Sequence, residues 1–302
     1  MKRIAVVYCK LSNRYSMDYV MSICRNLEKM KFKVECTSIE FFDFDKRYDL
    51  VVMTSWVDVY RKLLKIIRKN NPNIVFFGVG GGLDRDQKTG NSSVDDIQYL
   101  VGFNRYLYDG DFIYEDNLPP DRIKKFNIQL NPWRKDGKYV LIAHQHFNIY
   151  DKDRIGEFEK IVNKYKKQNC NIKIRLHPGI KNFDKKKLKK FGLSRDKSGK
   201  ILYRGIVAHS GNNVSLNDDL KTARCLVTYD SSIVVNTIAY GVPIIIHGKH
   251  ITGPVESPSI KDLRYPERQA WLNWLAFQNW NRKELCGPAW FSYYKRVGLL
   301  KI

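Results

Sequence analysis

The chain reads as an α/β protein of two Rossmann-like domains facing a cleft, followed by a C-terminal helical tail. Three observations predict this. Short β-rich apolar runs alternate with helical periods from residue 2 to residue 82, the pattern of parallel strands joined by crossover helices. The alternation fades between residues 83 and 133 and restarts at KYVLIAHQH, residues 138–146. From residue 267 a tryptophan-rich stretch of different character follows. With 302 residues there is room for about two domains.

In the first half, KRIAVVYC (2–9) is a buried strand, and residues 16–31 place Tyr19, Val20, Ile23 and Leu27 at helical spacing. FKVECTSIEFF supplies a second strand and LVVMTSW (50–56) a third. Residues 58–70 predict a basic amphipathic helix, and NIVFFGVGGG (73–82) a fourth strand that breaks into glycines. A polar loop then leads to an expected helix over 95–108. Pro119-Pro120 and Asn131-Pro132-Trp133 are turn clusters, which put the linker near 131–136 and the domains at 1–132 and 138–266.

The second half predicts a helix over 153–168, the strand IKIRLHPG, a lysine-rich stretch at 185–190, a short strand near 201–203 and a helix over 215–223. Residues 222–248, TARCLVTYDSSIVVNTIAYGVPIIIHG, form a β-α-β unit. In the tail, Trp271, Trp274 and Leu275 share a helical face, Asn281 to Glu284 look like a cap, and a second helix covers 288–296. Aromatics at helical spacing are read as packing.

Charge bounds the partners. Lys and Arg number 53 against 31 Asp and Glu, a formal +22, which favours a polyanion such as nucleic acid, an anionic membrane surface or a phosphorylated polymer. A lysine-rich solvated surface is the plainer explanation. No apolar run reaches the ~18 residues needed to span a bilayer. The opening is too brief and too soon polar for a signal peptide, so a cytoplasmic location is expected, a host's cytoplasm if the chain is phage-encoded. The six cysteines are scattered without zinc spacing, and neither disulfide nor metal is expected. Gly78-Val79-Gly80-Gly81-Gly82-Leu83 does not make a dinucleotide fingerprint, since it follows the fourth strand and opens no helix.

Asp230, Ser231 and Ser232 sit where a strand runs into a helix, a place suited to phosphate oxygens. The same triplet is also an ordinary helix start. His177-Pro178 ends a strand, where open α/β sheets bind ligands, and His144, Gln145 and His146 end another. The order strand–His-Pro, LVTYDSS, then AYGVPII resembles the donor half of GT-B glycosyltransferases, nearest to capsule sugar transferases and teichoic-acid polymerases. The run YDLVVMTSWVDVYRKLLKIIRKNNPNIVFFG is similar to a strand–helix–strand of phage DNA glycosyltransferases and covers about a fifth of the chain.

The resemblance implies a GT-B fold whose C-terminal helix, in residues 267–302, crosses back to the first domain. It also implies an inverting, metal-independent transfer from a nucleotide sugar, a UDP-sugar by preference, with no other cofactor. His177 and the serines would hold the diphosphate and Asp230 a cap or ribose contact. A carboxylate of the first domain would take the acceptor's proton: Asp84 past the fourth strand, with Asp86 in reserve. The favoured acceptor is a hydroxymethylated pyrimidine in double-stranded DNA, contacted by Trp56, Tyr60, Arg61, Lys62 and Lys65. The alternatives are a bacterial surface-polymer transferase and a non-catalytic nucleic-acid-binding protein on the same fold.

Overall fold

A computed structural model describes residues 1–8, 16–54, 66–79, 83, 98–104, 111–144, 152–177, 180, 185–210, 214–229, 231–248 and 250–302. In chain order the first segment holds β1 (Arg3–Tyr8), α1 (Met17–Lys29), β2 (Lys33–Ser38), β3 (Leu50–Met53), β4 (Ile74–Val79), β5 (Gln98–Phe103) and α2 (Asp121–Lys124). The second holds β6 (Tyr139–Ala143), α3 (Lys152–Lys167), β7 (Ile172–Leu176), α4 (Lys185–Lys190), β8 (Leu193–Arg195), β9 (Ile201–Tyr203) and β10 (Ile206–Ser210). It continues with α5 (Leu216–Leu220), β11 (Ala223–Thr228), α6 (Ile233–Ala239) and β12 (Ile244–Ile246). The tail is α7 (Gln269–Gln278), β13 (Asn279–Asn281), α8 (Arg282–Leu285) and α9 (Ala289–Arg296).

These elements make two compact α/β units, Met1–Asn127 with Gln269–Ile302, and Ile128–Arg268. The first unit's sheet has the order β13-β5-β4-β3-β1-β2. Strands β1 to β4 pair in parallel, while β5 and β13 run antiparallel. Both faces are covered, which is why β1 and β3 read as unbroken apolar runs. Ile4, Val6, Leu50 and Val52 pack with α1, and Ala5, Val7, Val51 and Met53 pack on the opposite face with Ile39, Phe42 and Tyr48. The second unit's sheet has the order β12-β11-β6-β7-β10-β9-β8, parallel from β12 to β10 and antiparallel beyond. Its α3 layer packs Phe158, Ile161, Val162 and Tyr165 over Val140, Ile142, Ile174 and Val227.

Two expectations are corrected. The helix expected over 95–108 is the strand β5 from Gln98 to Phe103, with all six residues buried. The tail helix, expected from residue 267 to Trp280, ends at Gln278, and Asn279, Trp280 and Asn281 form β13, paired with Leu100, Tyr99 and Gln98. Each segment is short enough for a partner strand to override its helical period. The tail belongs to the first unit's core, with Trp280, Leu285, Trp290, Phe291 and Tyr294 in the cluster that contains α1. Asn281 and Glu284 form a capping box at the start of α8.

The chain enters and leaves the second unit beside one turn. Asn131 and Arg134 donate backbone N–H bonds to Ala239 and Gly241 (2.9 and 2.6 Å), and Arg268 donates to the carbonyls of Ile238 and Asn131 (2.7 and 2.6 Å). Gly241 sits at φ +86°, and an added Cβ would stand 2.1 Å from the Pro132 carbonyl oxygen. Gly241→Ala should therefore destabilise the chain by about 1–3 kcal/mol from backbone strain, with the overlap added. Equilibrium urea unfolding checks this, and an unchanged midpoint would mean that the crossing carries no strain.

Candidate functional site

In the second unit the strand order reverses beside β6: the chain goes from β6 out to β7 and β10, then returns to place β11 on the other side. Open α/β sheets bind ligands at the carboxyl ends of the strands flanking such a reversal. The registers put those ends level. Ala143 pairs with Arg175, Ile142 with Val227, and Thr228 with Ile246. The residues next in the chain, His144, His177, Tyr229 and His247, consequently lie along one edge.

Local hydrogen bonds hold this edge. Thr228 Oγ1 donates to the Ala143 carbonyl at 3.3 Å, and His144 N–H donates to the Arg175 carbonyl at 2.7 Å. The N–H groups of His247 and Gly248 donate to the carbonyls of Thr228 and Tyr229 (2.9 and 3.0 Å). An added Cβ on Gly248 would stand 2.7 Å from the Tyr229 carbonyl oxygen, so the close return of the chain requires glycine.

The imidazoles along the edge differ in setting. His177 is exposed just beyond β7. His144 is 5% exposed, with its ring edge-on to Phe158 at 4.5 Å and to Phe191 at 6.2 Å. Two aromatic side chains thus pack against its ring. His247, which sequence reasoning passed over, is half-buried and hydrogen-bonded to the Tyr165 hydroxyl at 3.2 Å. Burial, with the Lys164 charge nearby, holds this imidazole below its ordinary pKa. The available signal was its position directly after the apolar run Ile244–Ile246.

Ser231 is 9% exposed and Ser232 is exposed. Ser232 occupies the position before α6 in αR geometry and makes no side-chain capping hydrogen bond, so the helix start does not consume its hydroxyl. Asp219, which precedes β11 at that strand's amino end, is fully buried and bridges Lys173 at 2.7 Å and Arg175.

Of the expected site residues, His144, His177, Ser231 and Ser232 come to this one edge. Gln145, His146, Pro178 and Asp230 lie outside the described residues, as do Asp84, Asp86, Trp56, Tyr60, Arg61, Lys62 and Lys65. Among the described residues no three His, Cys, Asp or Glu side chains gather as a metal site would require, and no helix is long and apolar enough to cross a membrane. Chemically, two serine hydroxyls, one of them exposed, and an exposed imidazole at strand ends are hydrogen-bond donors suited to an anionic oxygen.

No protein-family model matches the chain, and no curated protein sequence does. Among solved structures it is similar to the beta Kdo 2,7 transferase KpsC of Thermosulfurimonas dismutans, with 11% identity over 96% of this chain and 99% of that one, at a TM-score of 0.46. It is also similar to the UDP-GlcNAc 2-epimerase of Methanocaldococcus jannaschii, with 13% identity over 89% and 97% and a TM-score of 0.28. A third is the glycosyltransferase SnogD of Streptomyces nogalater, with 12% identity over 99% of each chain and a TM-score of 0.26. The architecture assigned above rests on the chain's own two sheets and not on these likenesses.

Proposed function

We propose that the chain is a glycosyltransferase of the GT-B kind that takes its sugar from a nucleotide-sugar donor, a UDP-sugar first among them. Its acceptor in this reading is the hydroxyl of a hydroxymethylated pyrimidine in duplex DNA. The observation that carries the reading is the carboxyl edge of the second sheet, where His177, Ser231 and Ser232 stand beside the reversal of strand order. Two Rossmann-like units with a tail packed on the first accord with it.

In the transfer, the acceptor oxygen bonds to the anomeric carbon as the bond from that carbon to the donor diphosphate breaks. The acceptor proton goes to a carboxylate, for which Asp84 is the proposed base and Asp86 the reserve. Negative charge develops on the departing diphosphate, and His177, Ser231 and Ser232 donate hydrogen bonds to it. The acceptor assignment is supported by the +22 balance, since a polyanion is the partner that such a surface attracts.

Incubating the protein with hydroxymethylcytosine-containing duplex and a panel of sugar nucleotides, then weighing the released nucleosides, tests the reading. The expected result is a nucleoside heavier by one sugar residue, formed with one class of donor. Transfer to a lipid-linked or surface polymer while hydroxymethylated DNA stays unmodified would move the acceptor. Failure to bind or consume any nucleotide sugar would overturn the enzyme assignment.

A further inference from the structure

The positive charge is not spread evenly. Residues 128–268 hold 27 Lys and Arg against 13 Asp and Glu, while the rest of the chain holds 26 against 18. Within the second unit, residues 185–204 carry nine Lys and Arg against one carboxylate, Asp196. That segment is α4 followed by the β8–β9 hairpin, and β8 is the last strand of its sheet.

Packing decides where this charge points. Leu188 of α4, Phe191 and Leu193 are 2–3% exposed and sit in the unit's core, which leaves Lys186 and Lys189, one helical turn apart, exposed. Arg195, Lys197 and Lys200 are exposed on the adjoining hairpin. Asp196 is occupied by its own turn: its Oδ1 accepts from the N–H groups of Ser198 and Lys200 (both 2.9 Å) and from the Ser198 hydroxyl (2.8 Å). Among the described residues, Arg204 is the one cation of this segment in an ion pair, with Glu159 at 2.7 Å.

We propose that this edge, formed by Lys186, Lys189, Arg195, Lys197 and Lys200, is a surface that grips the phosphate backbone of duplex nucleic acid. The inference rests on the DNA reading above for the identity of the polyanion. It differs from the sequence expectation, which put the DNA contacts on residues 56–65. A membrane surface is disfavoured because an interfacial element needs an apolar face to insert, and the apolar residue of α4, Leu188, is inside the core. A protein partner is disfavoured because protein interfaces are built on aromatic and apolar anchors and are depleted in lysine. Repeated cations without an apolar anchor match phosphate binding. Charge on an edge strand also blocks edge-to-edge association, and the experiment separates that use from binding.

The test compares the full chain with a variant carrying Lys186→Gln, Lys189→Gln, Arg195→Gln, Lys197→Gln and Lys200→Gln, titrated with a 20-base-pair duplex over a range of salt. The expected result is at least about a tenfold weaker affinity at low salt, with a log–log salt slope shallower by about 0.9 for each phosphate that the variant no longer neutralises. The thermal midpoint should hold, because all five side chains are exposed. Equal slopes and affinities in the two proteins would overturn the proposal, as would a variant that only aggregates more. So would a loss seen with phosphatidylserine vesicles but not with duplex, or a wild-type chain without affinity for duplex. A wild-type chain that binds duplex through this edge yet leaves hydroxymethylated DNA unmodified keeps the surface and removes the acceptor assignment.

Discussion

Arg122→Ala is expected to lower the unfolding free energy of the first unit by about 3 kcal/mol, the low end for breaking a buried ion pair. The low end applies because the Arg122 and Glu284 side chains retain 16% and 25% exposure. The guanidinium donates to the Ala276 and Asn279 carbonyls (3.1 and 2.8 Å) and to both Glu284 carboxylate oxygens (3.0 and 3.1 Å). It also lies 4.0 Å from the centre of the Trp280 ring. One planar group therefore ties α2 to the end of α7, to β13 and to the capping box of α8. Arg122→Lys should recover little, since an ammonium has neither the fork nor the stacking face.

A pH dependence accompanies this pair. Burial pushes the Glu284 carboxyl up, but hydrogen bonds from Arg122, Lys125 and the Asn281 N–H outweigh burial and leave it below the ordinary range. A depressed carboxyl stabilises the fold fully above its unfolded pKa, and the contribution is lost as pH falls through the folded value. Urea unfolding at pH 7 and in mild acid, with proteolysis of the tail as a second readout, checks both points. An Arg122→Ala chain as stable and as protease-resistant as the parent would show that the tail is held by its aromatic packing instead.

The second large effect concerns turnover. His177→Ala, and separately Ser231→Ala combined with Ser232→Ala, should each slow sugar transfer by about 10²–10³, the usual loss when one donor to a developing anion is removed. The fold should survive, because His177 and Ser232 are exposed and Ser232 caps nothing. A loss concentrated in kcat would mean that these donors act on the departing diphosphate in the transition state, whereas a rise in KM with kcat held would mean that they bind the donor uniformly. Far-UV circular dichroism guards against misfolding. Unchanged kinetics in both variants would move the donor site away from this edge.

Local pattern carries information wherever the surroundings merely agree with it. Strands β1, β3 and β11 are buried on both faces and look like strands in isolation, as the apolar runs IAVV, LVVM and CLVT. The helical period of α1 places Tyr19, Val20, Ile23 and Leu27 in the core, as spacing requires. Strand ends are legible for the same reason, and with them the positions, though not the roles, of His177 and the two serines. The lysine run at 185–190 was equally plain, as a run.

Tertiary structure decided what depends on a distant partner. QYLVGF became an antiparallel strand between β4 and β13, and β13 comes from a segment some 180 residues later in the chain. Arg122 was an ordinary surface-type residue until Glu284, 162 residues away, came within hydrogen-bonding distance. His144 is legible in the sequence as a strand-end residue, whereas the edge-on packing of its ring on Phe158 and Phe191 was decided by the fold. The sequence by itself determined the alternating α/β elements, the two units and the total charge. The face on which that charge stands and the pairing of the last strands were decided by packing, because burial and strand pairing join residues that no local window contains together.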